Sequence, residues 1–140
     1  MTLCRGVDVD TNEWVIGYYV CLNNEEHRIY SGYAETDCGD YYPDYHRVYP
    51  ETVGRYIGFD INGEDIFEGD IIRFYDYEDG LHFIVRYGAY DKMVGFTCFY
   101  GIGFYLERIG NPEHIQPFGL IPVEDMWKIG NVFENYELLE

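Results

Sequence analysis

The stretch VGRYIGFDINGEDIF, residues 53–67, decides the fold. Two runs rich in β-branched and aromatic residues flank the pair Asn62-Gly63. This pair is the strongest short signal for a β-hairpin, because a type I′ turn needs positive φ at both central positions. A second turn, Glu68-Gly69-Asp70, leads directly into another apolar run at residues 71–75. The pattern therefore predicts consecutive antiparallel strands.

More strand-like segments follow toward the C terminus. They are the glycine-bounded aromatic runs at residues 82–87, 94–100 and 104–106 and a final run at residues 127–133, which precedes a short helical stub from Asn135. So many short strands predict a small, strongly curved SH3-like barrel over residues 51–140, because open edges in so aromatic a sheet would aggregate.

The pattern is less regular toward the N terminus. The run WVIGYYVC, residues 14–21, follows a polar turn and predicts the buried second strand of a hairpin. Acids, Tyr, Gly and Pro crowd together in residues 23–49, for which we predict a long loop. The fold class is thus mainly β. Residues 1–50 are predicted to form an N-terminal β-hairpin region and an acidic, tyrosine-rich loop. The barrel domain, residues 51–140, can pack with it as a single unit.

Composition supports a folded, β-rich protein. The chain has 140 residues, of which 47% are hydrophobic and 19% aromatic, with 16 Tyr and 16 Gly. A chain of this length buries roughly two thirds of the surface that it exposes when unfolded. Aromatic residues suit a pleated surface and glycine supplies positive φ in tight turns.

The charge balance indicates which partners the chain can bind. It carries 26 Asp and Glu against nine Lys and Arg, for a net charge of −17. Phosphate backbones and anionic membranes are bound mainly through clustered cations, so direct nucleic-acid binding and membrane binding are disfavoured. A basic protein is the expected partner.

The N-terminal residues and the four cysteines bear on location. The chain begins without a basic segment followed by an apolar one, and it has no apolar run of membrane-spanning length. No CxxC spacing is present, so we expect reduced thiols and a cytoplasmic location in a bacterial host. A secreted domain with two disulfides remains the alternative.

Acidic and tyrosine residues form the candidate partner-binding face. Its members are Asp37, Asp40, Tyr41, Tyr42, Asp44, Tyr45, Asp76, Glu78 and Asp79. Tyrosine is an efficient interface residue and acids select a basic partner. The alternative is a solvated loop whose tyrosine rings pack on the barrel.

A second set of residues is assigned to turns. It comprises Asn62, Gly63, Gly69, Asp70, Gly130 and Asn131. The carboxylates Glu64, Asp65, Glu68 and Asp70 are close enough in sequence to do acid–base work or hold a hard cation. The simpler interpretation is that Asp70 accepts backbone N–H bonds in its turn.

Other motifs fall short of a known chemistry. The segment DVDTN, residues 8–12, begins like a calcium loop, but Glu13 stands where that loop needs glycine. The lone Ser31 lacks a nucleophile-elbow frame, and GIG at residues 101–103 lacks the third glycine of a dinucleotide loop, so we predict a strand turn or bulge there. The four histidines are too widely spaced for a metal signature. We therefore predict no catalytic, metal-binding or cofactor-binding residue.

Three blocks resemble the YopX family. Residues 52–72 are similar to its "TVGQYTGL" and "NGKEIYEGDIV" block, residues 128–139 to its "VIGNIYENPELL" ending, and residues 5–20 to its "RG" and "GEWVYGYYV" opening. Tyr136 stands where the family usually has Pro, and residues 23–49 and 88–123 match no motif of the family. The resemblance implies a phage- or prophage-encoded, β-rich protein of no established activity.

These observations lead to one main functional hypothesis and two alternatives. The main one is a non-enzymatic, acidic protein-interaction module, which includes the case of blocking a basic or nucleic-acid-binding host protein. The first alternative is an enzyme or a small-ligand or metal-binding protein with a carboxylate site between the two halves. The second is a structural homo-oligomer, and we expect self-association because aromatic edge strands can pair between subunits.

Overall fold

The computed structural model describes residues 2–74, 82–117 and 126–139, and they are mainly β. The strands are β1 (Leu3–Val7), β2 (Trp14–Leu22), β3 (Glu26–Glu35), β4 (Tyr41–Arg47), β5 (Gly54–Phe59), β6 (Asp65–Phe67), β7 (Asp70–Phe74), β8 (His82–Val94), β9 (Thr97–Arg108), β10 (Asn111–Pro117) and β11 (Met126–Asn131). Short 3-10 helices cover Pro50–Thr52 and Tyr136–Leu139. The chain divides into two compact units, Met1–Tyr56 and Ile57–Glu140. No helix among the described residues is both long enough and apolar enough to cross a membrane.

The N-terminal unit is built on an antiparallel sheet in which β4, β3, β2, β1 and β5 are neighbours in that order. Its buried centre holds Ile29 and Val48, against which the backbone of Gly6 packs closely. Asn23 and Asn24 both have positive φ, and the Glu25 N–H donates to the Leu22 carbonyl at 3.0 Å. This asparagine pair makes the tight turn from β2 to β3, since Asn adopts the left-handed region more readily than most residues.

The prediction of a long loop over residues 23–49 is wrong. That segment contains β3 and β4, which pair from Arg28↔Arg47 to Glu35↔Tyr41. A β-bulge between Tyr30 and Gly32 shifts the register, so the alternation of side chains changes phase within β3. The phase change and the tyrosines on both faces conceal the period-two pattern in the sequence.

The C-terminal unit contains a second antiparallel sheet, with the order β10, β9, β8, β7 and β11. Its core is formed by Ile66, Ile72, Phe83, Val85, Leu106 and Met126. β8 and β9 make one long hairpin whose register runs without a shift from Phe83↔Arg108 to Val94↔Thr97. GIG at residues 101–103 therefore lies inside a regular strand, and the predicted turn or bulge there is wrong.

The SH3-like barrel is not confirmed. Each described sheet has two end strands, so neither is closed. Small barrels need strongly curved strands, and bulges or glycine kinks supply that curvature. The C-terminal sheet does have register shifts between β9 and β10 and between β7 and β11, but its end strands β10 and β11 are not neighbours, so the sheet stays open.

The hairpin at Asn62-Gly63 is present, but its turn type differs from the prediction. Gly63 has φ +81°, whereas Asn62 is not among the residues with positive φ. The Gly63 N–H donates to the Asp60 carbonyl at 3.0 Å, and the Asp60 N–H donates to Glu64 at 2.8 Å. The connection is therefore a three-residue loop with one left-handed residue at its end.

Candidate functional site

The structure places the predicted acidic and tyrosine residues on the β3–β4 hairpin. Asp37 and Asp40 lie in its loop, while Tyr41, Tyr42, Asp44 and Tyr45 lie on β4. Asp76, Glu78 and Asp79 fall outside the described residues.

The register divides the β4 residues between the two sides of the sheet. Directly paired residues share a face, and successive residues alternate. Tyr45 pairs with Tyr30 and Tyr41 pairs with Glu35, so these four side chains share one side, while Tyr42 and Asp44 lie on the other. The predicted set is therefore not a single surface.

A tyrosine-rich surface emerges instead on the side of Tyr45. Tyr30 pairs with both Tyr45 and Tyr18, and Tyr18 pairs in turn with Leu3, which gives one row across four strands. We call this side the tyrosine face; its members are Leu3, Ile16, Tyr18, Val20, Tyr30, Tyr33, Tyr41, Pro43 and Tyr45. Sequence reasoning missed Tyr18 and Tyr30 as members of this face, because their grouping depends on strand register.

The tyrosine face contains a groove of about 540 Å³. Its lining residues are Leu3, Ile16, Gly17, Tyr18, Val20, Tyr30, Ser31, Gly32, Tyr33 and Pro43. Tyr33 is 76% exposed, Ile16 46% and Tyr18 43%. Large apolar side chains are thus presented to solvent around a concave surface, which is the usual composition of a binding site.

Charge is distributed unevenly around the tyrosine face. The Arg28 guanidinium lies 4.0 Å from the centre of the Tyr45 ring and bonds Tyr30 Oη at 3.1 Å and Glu26 Oε2 at 2.6 Å. These contacts, first with Tyr30 and then with Glu26, raise the pKa of Arg28 and keep it charged. The charge of Arg28 is therefore balanced by Glu26, and Arg47, which shares this side through its pairing with Arg28, lies 3.5 Å from Asp10.

The carboxylates at the loop end of the β3–β4 hairpin differ from Glu26, which is paired with Arg28. Glu35, Asp37 and Asp40 are exposed, and no cation in the described part of the chain lies within ion-pair distance of them. An uncompensated negative end therefore adjoins the tyrosine face.

The backbone of β4 restricts how a partner can approach. The Thr36 N–H donates to the Asp40 carbonyl at 2.7 Å, so alternate β4 residues, including Pro43, direct their backbone groups away from β3. Proline has no N–H, which blocks addition of another strand at this edge. The side-chain face is therefore the accessible binding surface here.

The opposite side of the N-terminal sheet holds a structural contact between Asp8 and His46. Asp8 accepts the Asp10 N–H at 2.7 Å and the Thr11 N–H at 3.3 Å, and its Oδ2 lies 2.8 Å from His46 Nδ1. The Asp10 N–H, with the His46 contact, lowers the pKa of Asp8. The calcium-like segment at residues 8–12 is thus an Asx turn tied to β4.

Replacing Asp8 by alanine tests this assignment. We expect Asp8→Ala to lower the free energy of unfolding by about 1–2 kcal/mol, because two backbone donors and His46 lose their acceptor. Asp10→Ala is the matched control, since Asp10 is exposed and its ion pair with Arg47 spans 3.5 Å; we expect a change within about 0.5 kcal/mol. Urea unfolding measures both, and equal effects would contradict the assignment.

The turn residues Gly69 and Asp70 organise the C-terminal unit. Gly69, at φ +92°, donates to the Val85 carbonyl at 2.8 Å and accepts the Val132 N–H at 3.0 Å. Asp70 is fully buried, accepts the Phe67 N–H at 2.8 Å and lies 3.5 Å from Lys128 Nζ. Asp70 therefore has a structural partner set, while Glu64 and Asp65 are exposed.

Gly130 and Asn131 form the last turn motif. Asn131 Oδ1 accepts the Phe133 and Glu134 N–H groups at 2.9 and 3.0 Å. Asn135 Oδ1 in turn accepts the Asn131 N–H at 3.0 Å and would lie 2.5 Å from a Cβ at Gly130. Because Gly130 has no Cβ, the Asn135 side-chain amide fits beside it and accepts the hydrogen bond from the last residue of β11.

Among the residues that the structure describes, the remaining reactive groups form no converging set. Burial lowers the pKa of His82 and of His114, which are thus disfavoured as cations. All four cysteines are free thiols, with Cys4 buried and the others exposed, so the two-disulfide alternative is not formed. In the described ranges, no three His, Cys, Asp or Glu side chains are grouped as metal ligands.

Comparison with protein-family models identifies a family that this chain matches. A family model described as YopX protein matches residues 4–140, including the stretches in which no family motif is recognisable. Comparison with curated proteins finds no match.

Proposed function

The chain belongs to the YopX family, and from this premise we propose that it is a non-enzymatic accessory protein that binds a basic protein partner through the tyrosine face. A phage or prophage origin and a bacterial cytoplasmic location are part of the proposal, because the family resemblance implies them. A partner that itself binds nucleic acid fits the proposal, since an acidic chain competes with phosphate for the same cations.

The observation that carries the proposal is the exposed tyrosine face around its groove. Tyr33, Tyr18 and Ile16 present large side chains to solvent on one side of an antiparallel sheet. Tyrosines supply much contact area at little entropic cost, and they dominate binding energy at interfaces. With a net charge of −17, long-range attraction favours a basic partner and disfavours nucleic acid and anionic membranes.

The enzyme alternative lacks comparable support. Asp70, the buried member of the carboxylate block, is engaged by the Phe67 N–H and by Lys128. An acid or base for catalysis must reach a substrate proton. The contacts of Asp70 instead favour a role in holding the turn before β7.

Substitution of Tyr33 tests the proposed function. We expect Tyr33→Ser to weaken retention of a basic protein from bacterial lysate about tenfold, as removal of an interface hot spot does. Tyr136→Ser is the matched control, because Tyr136 is 70% exposed and lies in the C-terminal unit. Retention should also fall when salt is raised, since ionic strength screens the attraction.

The measurement is affinity capture with nuclease treatment at low and high salt, with proteins identified by mass. Circular dichroism of each variant controls for folding. If the captured protein is retained equally by Tyr33→Ser, Tyr136→Ser and the unsubstituted chain, the tyrosine face is not the binding site.

Self-association remains a prediction with its own candidate surface. Tyr87, Ala89 and Met93 on β8 share a side of the hairpin with Tyr100 and Ile102 on β9. Ile102 is 78% exposed. Light scattering of the unsubstituted chain and of Ile102→Thr measures whether an oligomer forms and whether it depends on this surface.

A further inference from the structure

We propose that the groove of the tyrosine face binds an extended, proline-rich segment that carries an Arg or Lys. This inference rests on the proposed function and specifies the chemistry of the partner. It follows from the groove's shape, from the residues that line it and from the charge beside it.

The groove lies between two rows of side chains. The row Tyr18–Tyr30 forms one wall, and Tyr33, paired with Pro43, stands on the next row beyond the bulge. Ser31 and Gly32 line the space between them, and a Cβ at Gly32 would meet nothing within 4 Å. Two raised aromatic rows thus border a floor of small residues.

The openness of the groove and the proline at the β4 edge bear on what can bind there. A pocket that binds a small molecule buries most of its ligand's surface, whereas this groove is bordered by Tyr33, which is 76% exposed, and Ile16, which is 46% exposed. An added β-strand is disfavoured because Pro43 directs no N–H outward at the β4 edge. An extended chain lying across the side chains satisfies both observations.

The proposed occupant is a chain in the polyproline II conformation. Polyproline II segments dock in aromatic-lined grooves, and because they are already extended they lose little entropy on binding. Their backbone carbonyls make no internal hydrogen bonds and can accept from tyrosine hydroxyls. Tyr18 and Tyr33 line the groove with rings for the prolines and hydroxyls for the carbonyls.

The acidic residues beside the groove favour a cationic side chain in the bound segment. Glu35 pairs with Tyr41 and so lies on the same side of the sheet, next to the tyrosine face, and Asp37 and Asp40 follow in the adjoining loop. Arg28, near the opposite end of β3 from Glu35, is bound to Glu26 at 2.6 Å. The negative end therefore complements a cationic side chain at one end of the bound segment.

The experiment uses the full chain and synthetic peptides. An array of peptides varies the spacing of two prolines and the position of one Arg, and the best binder is titrated by calorimetry. We expect replacement of its prolines by alanine to weaken binding about tenfold. We expect Arg→Glu in the peptide, or Tyr33→Ser in the protein, to do the same, while Tyr136→Ser has no effect.

Three results would overturn the proposal. The first is that no array peptide binds at millimolar concentration. The second is that binding persists in Tyr33→Ser or is indifferent to proline. The third is that light scattering shows a dimer dissolved by Tyr33→Ser, which would make the occupant a second copy of the chain.

Competition separates this proposal from the proposed function. If a captured basic protein depends on Tyr33 but the array peptides neither bind nor displace it, the partner-binding function holds and the proline-rich segment is wrong. If Tyr33→Ser leaves capture unchanged, the proposed function itself fails.

Discussion

Gly17→Ala is expected to lower the free energy of unfolding of the N-terminal unit by about 3 kcal/mol, the upper range for overpacking a tight site. A Cβ at Gly17 would lie 2.3 Å from the Tyr30 carbonyl oxygen and 2.8 Å from Ile29 Cγ2. The first atom is backbone of the neighbouring strand, so it can move only if β2 and β3 separate. Tyr18 and Tyr30 would shift with those strands, and binding at the tyrosine face should fall with stability.

Gly103→Ala is the matched control for this prediction. Gly103 also lies in a strand, but a Cβ there meets no atom within 4 Å. The exchange should be neutral or stabilise by up to about 1 kcal/mol, because alanine loses less entropy than glycine on folding. Urea unfolding followed by circular dichroism measures both variants. Equal stabilities of Gly17→Ala and Gly103→Ala would refute the packing argument.

Asp60→Ala is expected to lower the free energy of unfolding of the C-terminal unit by about 3 kcal/mol, as loss of a buried charged acceptor does. Asp60 is 2% exposed. Its Oδ1 accepts the Asn62 and Glu64 N–H groups at 2.8 and 2.9 Å, and its Oδ2 accepts the Lys128 N–H at 3.1 Å. The carboxylate thus shapes the loop and attaches it to β11. Glu64→Ala, at an exposed side chain, should change stability by less than about 0.5 kcal/mol.

The same carboxylate predicts a pH dependence. Burial alone would raise the pKa of Asp60, but the three N–H donors outweigh it and hold the pKa below its usual range. The folded state therefore binds the proton less readily than the unfolded state. The contribution of Asp60 is complete above the unfolded pKa and is lost as pH falls through the folded pKa.

Unfolding measured between about pH 6 and pH 3 tests the sign of this effect. The unsubstituted chain should lose stability on acidification, and Asp60→Ala should lose less of it. A parallel decline in both proteins would show that Asp60 does not contribute to the acid sensitivity.

Local sequence signals located several turns but not their geometry. Asn62-Gly63 marked a hairpin, yet the Asp60 side chain bonds to the Asn62 N–H, and an aspartate that binds the backbone two residues on favours an Asx turn over type I′. The pair Asn23-Asn24 has positive φ at both residues. It carried a usable turn signal, because asparagine tolerates that conformation.

The sequence predicted which kinds of residue form the candidate site but not which of them lie on the same side of the sheet. The acidic and tyrosine residues of the β3–β4 hairpin are visible in the sequence, but β4 sends Tyr45 to one side of the sheet and Asp44 to the other. Tyr18 belongs with Tyr45 only because Tyr30 pairs with both. A bulge of one residue in β3 determines where the groove opens, and the surrounding sequence shows no sign of it.

The amino-acid sequence by itself determined the β-rich character, the acidic surface and the family, because strand preference, charge and motif spacing are properties of the chain read locally. The tertiary structure alone decided which tyrosines share a face, that residues 23–49 form strands, and that neither described sheet closes. These features depend on pairing between residues far apart in the chain. A shift of one residue in that pairing moves every side chain of a strand to the other face.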